Sequence, residues 1–337
     1  MTTTENTETK QELADYQKFN LTRYLRTYGT QLGILGVFAT MWIFFIIAAP
    51  TTFLSSQIYL AFMSTIPFFA IVALPLTIAV IAGEMDLSFP SVMAIGMVAF
   101  IGVFNFTNSV ALGVLAGLAV GFLAGLLNGV IVVGIGIPSL VVTIGTQFFW
   151  RGAVLVLLGG KGSTLVATKG TLVYTAMVGK IDRFPVQMLW LVLIAVLTWI
   201  LLNRHRFGAH VYIIGDNKNT AELMGINTRL TRMLVFAFVG TAAAFAGILA
   251  SMHVSFFWPS LGDGYLLKTL AAVFLGGTSV FGGVGTILGT FIGAFIIGAI
   301  EAAIVAIGLT GFWTQLIYGF IIIVSVSMHA IVRRRLS

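Results

Sequence analysis

Cysteine is absent from the 337 residues, which excludes a disulfide framework, a thiolate metal site and a cysteine nucleophile. Charge is scarce too: Asp, Glu, Lys and Arg together make up 9% of the chain, and only 11 residues are acidic. Soluble domains carry about 25% charged residues, so an ordinary soluble fold is excluded. The four histidines stand at no metal-ligand spacing, and no metal site is expected. A phosphate-binding loop is also missing. LLGGKGST (157–164) has Gly162 after Lys161, and Leu155 stands where the Walker pattern needs its first glycine. Hydrolysis of ATP is therefore not expected of this chain.

What is present is apolar sequence, 58% of the residues, with a mean hydropathy of +1.04. A bilayer is crossed by roughly 20 apolar residues, and about ten such runs occur. They lie near 32–50, 58–82, 89–106, 109–133, 139–158, 187–203, 232–251, 265–281, 286–308 and 312–331. The pattern predicts an all-α fold, a polytopic transmembrane helical bundle of about ten spans. Residues 1–27 read as a polar tail with a helix near Asp15–Thr27 and no cleavable signal peptide, and 28–337 as one transmembrane domain.

Basic residues orient the bundle. With ten spans, both termini share a face with the polar stretch 204–232, and that face holds twelve of the 18 basic residues. The opposite face receives Lys161, Lys169, Lys180 and Arg183, all in one loop. Cytoplasmic loops collect Lys and Arg, so both termini and 204–232 are expected in the cytoplasm. The net charge of +7 is then a product of topology and needs no nucleic-acid partner.

The stretch RHRFGAHVYIIGDNKNTAELMGINTRLTR (204–232) is a polar island between two apolar runs. Its middle, Asp216–Gly225, predicts a short amphipathic helix with Asn217 as N-cap and Gly225 as stop. Such a helix, exposed between two spans, offers a surface on which another protein can push.

Glycine recurs at every fourth residue from Gly113 to Gly129, and again at Gly285, Gly289 and Gly293. Stripes of small residues let transmembrane helices approach closely, either within one subunit or at a subunit interface. The striped runs also belong to an internal echo. AGEMDLSFPSVMAIG (82–96) and LGGTSVFGGVGTILG (275–289) are both Gly-rich polar breaks before a helix. Repeated halves with broken helices are common in transporters, where the breaks mark the solute path.

Polar residues inside apolar runs are the candidates for that path. Glu84, Asp86 and Ser88 lie at the first break, where they either serve a solute or cap the helix starting near Pro90. Arg151, after Thr143, Thr146 and Gln147, either binds a polar solute or snorkels to the headgroups. Glu301 lies mid-run and needs a cationic partner, a water-filled cavity or a proton; Asn128 is its counterpart in the first half. His253 and Trp258 read as an interfacial aromatic belt.

Four segments in order resemble one family. They are GEMDLSFPSVMAIG (83–96), IPSLVVTIGTQFFWRG (137–152), GDNKNTAELMGIN (215–227) and GGTSVFGGVGTILGTFIGA (276–294). Together they resemble the permease subunits of bacterial ABC importers of the ribose/xylose/arabinose/galactoside type, related to branched-chain amino acid permeases. The resemblance runs from about residue 57 to 331. It implies a multi-pass protein of the bacterial inner membrane that pairs with a second permease copy. It also implies a periplasmic solute-binding protein and a cytoplasmic ABC ATPase, which uses the ATP and Mg²⁺; no cofactor is implied for this chain. By carry-over, Asp216–Ile226 is the coupling helix, with Asp216, Asn217, Thr220, Ala221, Glu222, Gly225 and Ile226 meeting the ATPase. Two departures stand out: Phe89-Pro90 replaces the family's Val-Gly, and Glu301-Ala302 stands where Asn-Gly is usual. The implied cargo is a monosaccharide or similar neutral, hydroxyl-rich solute. The alternative is a proton-coupled secondary transporter working through Glu84, Asp86 or Glu301. A membrane enzyme would need a convergent acid, base or metal set, and none is evident.

Overall fold

The computed structural model describes the backbone of residues 21–336 and the side chains of 32–331. Most of the expected tail, including Asp15, falls outside the described residues, as do the side chains of Arg333, Arg334 and Arg335. From Leu21 the chain is helical and continues into the first span, so 21–27 is part of that helix.

In hydrocarbon every backbone polar group must find its partner within the segment, so the apolar runs become helices. Together with two helices of the polar stretch, α8 (Arg206–Asp216) and α9 (Lys218–Leu223), they are α1 (Leu21–Ala48), α2 (Ser56–Thr65), α3 (Pro67–Ile81), α4 (Phe89–Thr107), α5 (Val110–Ile135), α6 (Ser139–Leu158), α7 (Val186–Asn203), α10 (Thr228–Val254), α11 (Leu266–Leu275), α12 (Ile287–Ala306) and α13 (Phe312–Leu336). Seven of these are long and apolar enough to span: α4, α5, α6, α7, α10, α12 and α13. The α2–α3 pair, bent by 53°, is long and apolar enough to cross when taken together. Its bend falls where Pro67 opens α3, because proline has no N–H for the preceding turn and its ring crowds that turn.

The expectation of about ten spans is met by these eight, by α1, and by a half-span where 265–281 was expected. There α11 has ten residues, about 15 Å of helix against about 30 Å of hydrocarbon. The crossing is completed by the flanking non-helical stretches, a turn and 3₁₀ segment before it and the glycine-rich break after it. Phe256–Phe257 pairs with Ser163–Thr164 in the 159–185 loop, whereas Gly283 beyond α11 donates to Ile81 O at the far end of α3 (2.9 Å). Residues 256–283 thus run from one face of the bundle to the other.

Helix α3 is buried along all its length, enclosed by α10, α11, α12 and α7. By contrast α6, α7 and α13 are largely uncovered, with Phe148, Phe149, Val156 and Phe320 exposed, as suits lipid contact. The α5 glycine stripe faces inward against α10 and α4. A methyl group at Gly121 would sit 2.6 Å from Gly240 O, and one at Gly117 2.9 Å from Gly96 O. The stripe is therefore a packing device within one chain, where backbones meet because no side chain intervenes.

The two breaks of the internal echo are both non-helical. One, 82–88, joins α3 to α4; the other, 276–286, joins α11 to α12. The Gly283–Ile81 hydrogen bond brings them side by side.

Candidate functional site

The polar island forms two helices rather than one. Asp216 is the last residue of α8, and α9 begins at Lys218, so the expected Asp216–Gly225 helix is corrected at its start. The cause is Asn217, whose extended backbone (φ −155°, ψ 105°) interrupts the helix while its Oδ1 accepts from Thr220 N (3.1 Å). The N-cap expectation holds in this geometry. Gly225 stops α9 in the left-handed region at φ +76°, with Ile226 N donating to Ala221 O (3.1 Å) across the turn.

Of the seven coupling candidates, Asp216, Asn217, Thr220, Glu222 and Gly225 are exposed, Ile226 is half-buried and Ala221 is buried. Thr228 Oγ1 donates to Glu222 Oε1 (2.9 Å), which ties α9 to the first turn of α10. Leu223 and Met224 were not among the candidates. They stand 89% and 63% exposed at the tip of α9, outside any span. Two adjacent apolar residues inside a polar island were the signal available in sequence.

Behind this tip, α8 lies against both breaks. Tyr212 Oη donates to Gly285 O (2.8 Å), and burial raises the Tyr212 hydroxyl above the usual tyrosine range. A methyl group at Gly282 would lie 2.7 Å from Gly215 O, and one at Gly215 would lie 2.6 Å from Gly283 N. Gly283 in turn bonds Ile81 O. A movement of α8 cannot leave either break undisturbed, since no side chain separates the backbones.

The path candidates fall into three groups. At the first break, Glu84 forms an ion pair with Arg232 from α10, and both side chains are nearly buried. Asp86 Oδ1 accepts from Ser88 N (2.8 Å) and Ser88 Oγ (2.6 Å), and Asn128 Nδ2 donates to Ser88 Oγ (2.7 Å). Ser139 Oγ accepts from Met85 N (3.0 Å), and Thr143 Oγ1 donates to Met85 O (3.2 Å). The break is thus bonded to α5, α6 and α10. Asp86 Oδ2 and Asn128 Oδ1 are buried with no partner among the described residues.

A second group centres on Arg151. Its guanidinium donates to the carbonyls of Pro259, Leu261 (3.0 Å) and Pro90 (3.4 Å) and pairs with Asp263 (2.5 Å). It fastens the segment before α11 to α4 and α6. Thr146 Oγ1 bonds back to Thr143 O (3.4 Å), and Gln147 is half-buried on the same helix.

Glu301 belongs to neither group. Both its oxygens accept from Lys268 Nζ, at 2.8 and 2.7 Å, and the pair lines a cavity of about 700 Å³. His253, read in sequence as part of an outer belt, lies in the last turn of α10, lines the same cavity and bonds Gln187 through Nδ1 (3.0 Å).

Residues 58–326 match the family described as branched-chain amino acid transport system, permease component. The chain is 32% identical over 293 residues to the autoinducer 2 import system permease protein LsrC of Enterobacter sp. strain 638, covering 87% of this chain and 83% of that protein. The Klebsiella pneumoniae protein of the same name is 33% identical over 289 residues, covering 85% and 83%. That of Yersinia pestis (strain Pestoides F) is 31% identical over 292 residues, covering 87% and 81%. No solved structure matched the chain.

Proposed function

The chain belongs to the family of branched-chain amino acid transport system permease components, and from that membership we propose that it is the membrane passage of an ATP-driven importer for a neutral, hydroxyl-rich solute. Autoinducer 2, named for the similar permeases, is the first cargo to test. A periplasmic binding protein delivers the solute to the face that carries the 159–185 loop. A cytoplasmic ABC ATPase, which consumes ATP with Mg²⁺, engages the 204–232 loop. The surplus of basic residues on that loop and both termini supports a cytoplasmic position in the bacterial inner membrane. A second permease copy completes the passage.

One observation carries this reading: α9 is an exposed knob, and α8 behind it contacts both helix breaks. A push on Leu223 and Met224 displaces α8. Backbone contacts at Gly215, Gly282 and Gly283 then shift the ends of α3 and α12 together. ATP binding in the partner favours one arrangement of the breaks and solute the other, and this unequal preference is the coupling. Of the three carboxylates a proton-coupled carrier could use, Glu84 and Glu301 are each paired with a cation, and Asp86 is held by Ser88 at the first break.

The test is uptake into vesicles holding this chain with an ABC ATPase and a solute-binding protein that co-purify with it. Uptake is expected to require ATP on the 204–232 side and to ignore a proton gradient. Uptake by this chain alone, driven by a proton gradient, would reverse the assignment.

A further inference from the structure

The cavity around Glu301 opens between the ends of α10 and α12 and the start of α11. These ends lie toward the 159–185 loop, since Leu165 N donates to Ser255 O (3.0 Å) just past α10. One wall is the bend of the broken span, with Thr65 before Pro67 and Phe68 after it. Phe62 and Tyr265 add aromatic surface, and Lys268 and Glu301 supply the charge. At about 700 Å³ it falls within the roughly 300–1,000 Å³ of small-molecule sites.

The ion pair is not sealed. The Glu301 side chain is 43% exposed and that of Lys268 19%. A partly exposed carboxylate within an apolar span is tolerated only where it faces water or a polar ligand, not lipid. Its two oxygens offer about four acceptor positions, of which the ammonium occupies two, leaving the rest toward the cavity. The pair carries no net charge. A charged or zwitterionic solute gains there only by prising Lys268 from Glu301, which strands a charge or exchanges one pair for another. Hydroxyl groups need no such exchange, because they donate to the free carboxylate positions while the apolar face of a ring lies on the aromatic wall.

We propose that this cavity is a solute site for a neutral polyhydroxylated ring, with Glu301 accepting the solute's hydroxyls and Lys268 balancing the charge so that ionic solutes are refused. The proposal rests on the permease reading above and adds to it a residue-level basis for solute choice.

The native chain has no cysteine, so full-length Thr65→Cys carries a single label site on the cavity wall. Its reaction with a hydrophilic maleimide is followed in vesicles that also hold the ATPase and binding protein. D-ribose, D-arabinose, myo-inositol and autoinducer 2 are the probes; leucine and glutamate are the counter-probes. At least one hydroxylated probe, supplied at about nine times its Kd, should slow labelling by about tenfold. Leucine and glutamate should leave the rate unchanged. Adding Lys268→Met with Glu301→Gln, which keeps the cavity neutral, should leave insertion and basal labelling intact and abolish protection. Three results overturn the proposal: equal labelling with every probe, protection by leucine, or protection that survives the double substitution. Absence of ATP-driven uptake of every probe by the wild-type chain in the same vesicles overturns the permease reading instead.

Discussion

Replacing Arg232 with methionine should be far more harmful than replacing Arg232 and Glu84 together. The two side chains are 15% and 6% exposed, and their ion pair joins the first break to the base of α10. Arg232→Met leaves a carboxylate buried with no cation, a situation that costs about 3–5 kcal/mol. Glu84→Gln leaves the better-exposed guanidinium, which water and the new amide partly satisfy, so about 1–3 kcal/mol is expected. Glu84→Gln with Arg232→Met removes both charges and should return to within about 1 kcal/mol of the native chain, as neutral replacements of buried pairs commonly do. The assay is the fraction of full-length protein that stays monodisperse in mild detergent after heating, compared across the four chains. The expected order is native, double, Glu84→Gln, then Arg232→Met. A double variant as fragile as Arg232→Met would show that the pair's geometry, not its charge balance, holds the break, and the reasoning would fail.

Gly121→Leu drives a side chain into Gly240 and Ala244 of α10; overpacking costs about 1–3 kcal/mol or more, so folded yield should fall sharply while Gly134→Ala, with open space around it, stays near native. Gly225→Ala meets no atom within 4 Å but must hold φ +76°, and Asn217→Ala removes the N-cap. Each should cost about 1 kcal/mol at α9 and reduce ATP-driven uptake with membrane insertion unchanged. Tyr212→Phe deletes the Oη–Gly285 bond, worth about 1 kcal/mol. It should lower uptake per ATP hydrolysed, and an unchanged ratio would remove α8 from the coupling route.

Much of this architecture was readable in the sequence, for identifiable reasons. Helix ends at 139–158 and 186–203 follow hydropathy because lipid forces each apolar run to satisfy its own backbone. The caps of α9 were readable because Asn217 and Gly225 act on their own neighbours. The half-span α11 was not, since hydropathy averaged its ten helical residues with an apolar but non-helical glycine segment. The ion pairs Arg232–Glu84, Arg151–Asp263 and Lys268–Glu301 also escaped, because their partners lie far apart along the chain. In sequence Glu301 called for a partner, a water-filled cavity or a proton; the fold supplies Lys268 and a cavity. The glycine stripes announced close packing, but α10 as the partner of α5 follows only from the tertiary fold.

The most direct test of the central claim is partner capture from the native membrane. The tagged native chain and a Leu223→Asp, Met224→Asp variant are purified side by side, and the bound proteins are identified by mass spectrometry. The account predicts an ABC ATPase and a solute-binding protein with the native chain, and loss of the ATPase from a variant inserted at native level. A native chain that retains no ATPase, or a variant that retains it fully, contradicts an importer driven through the tip of α9.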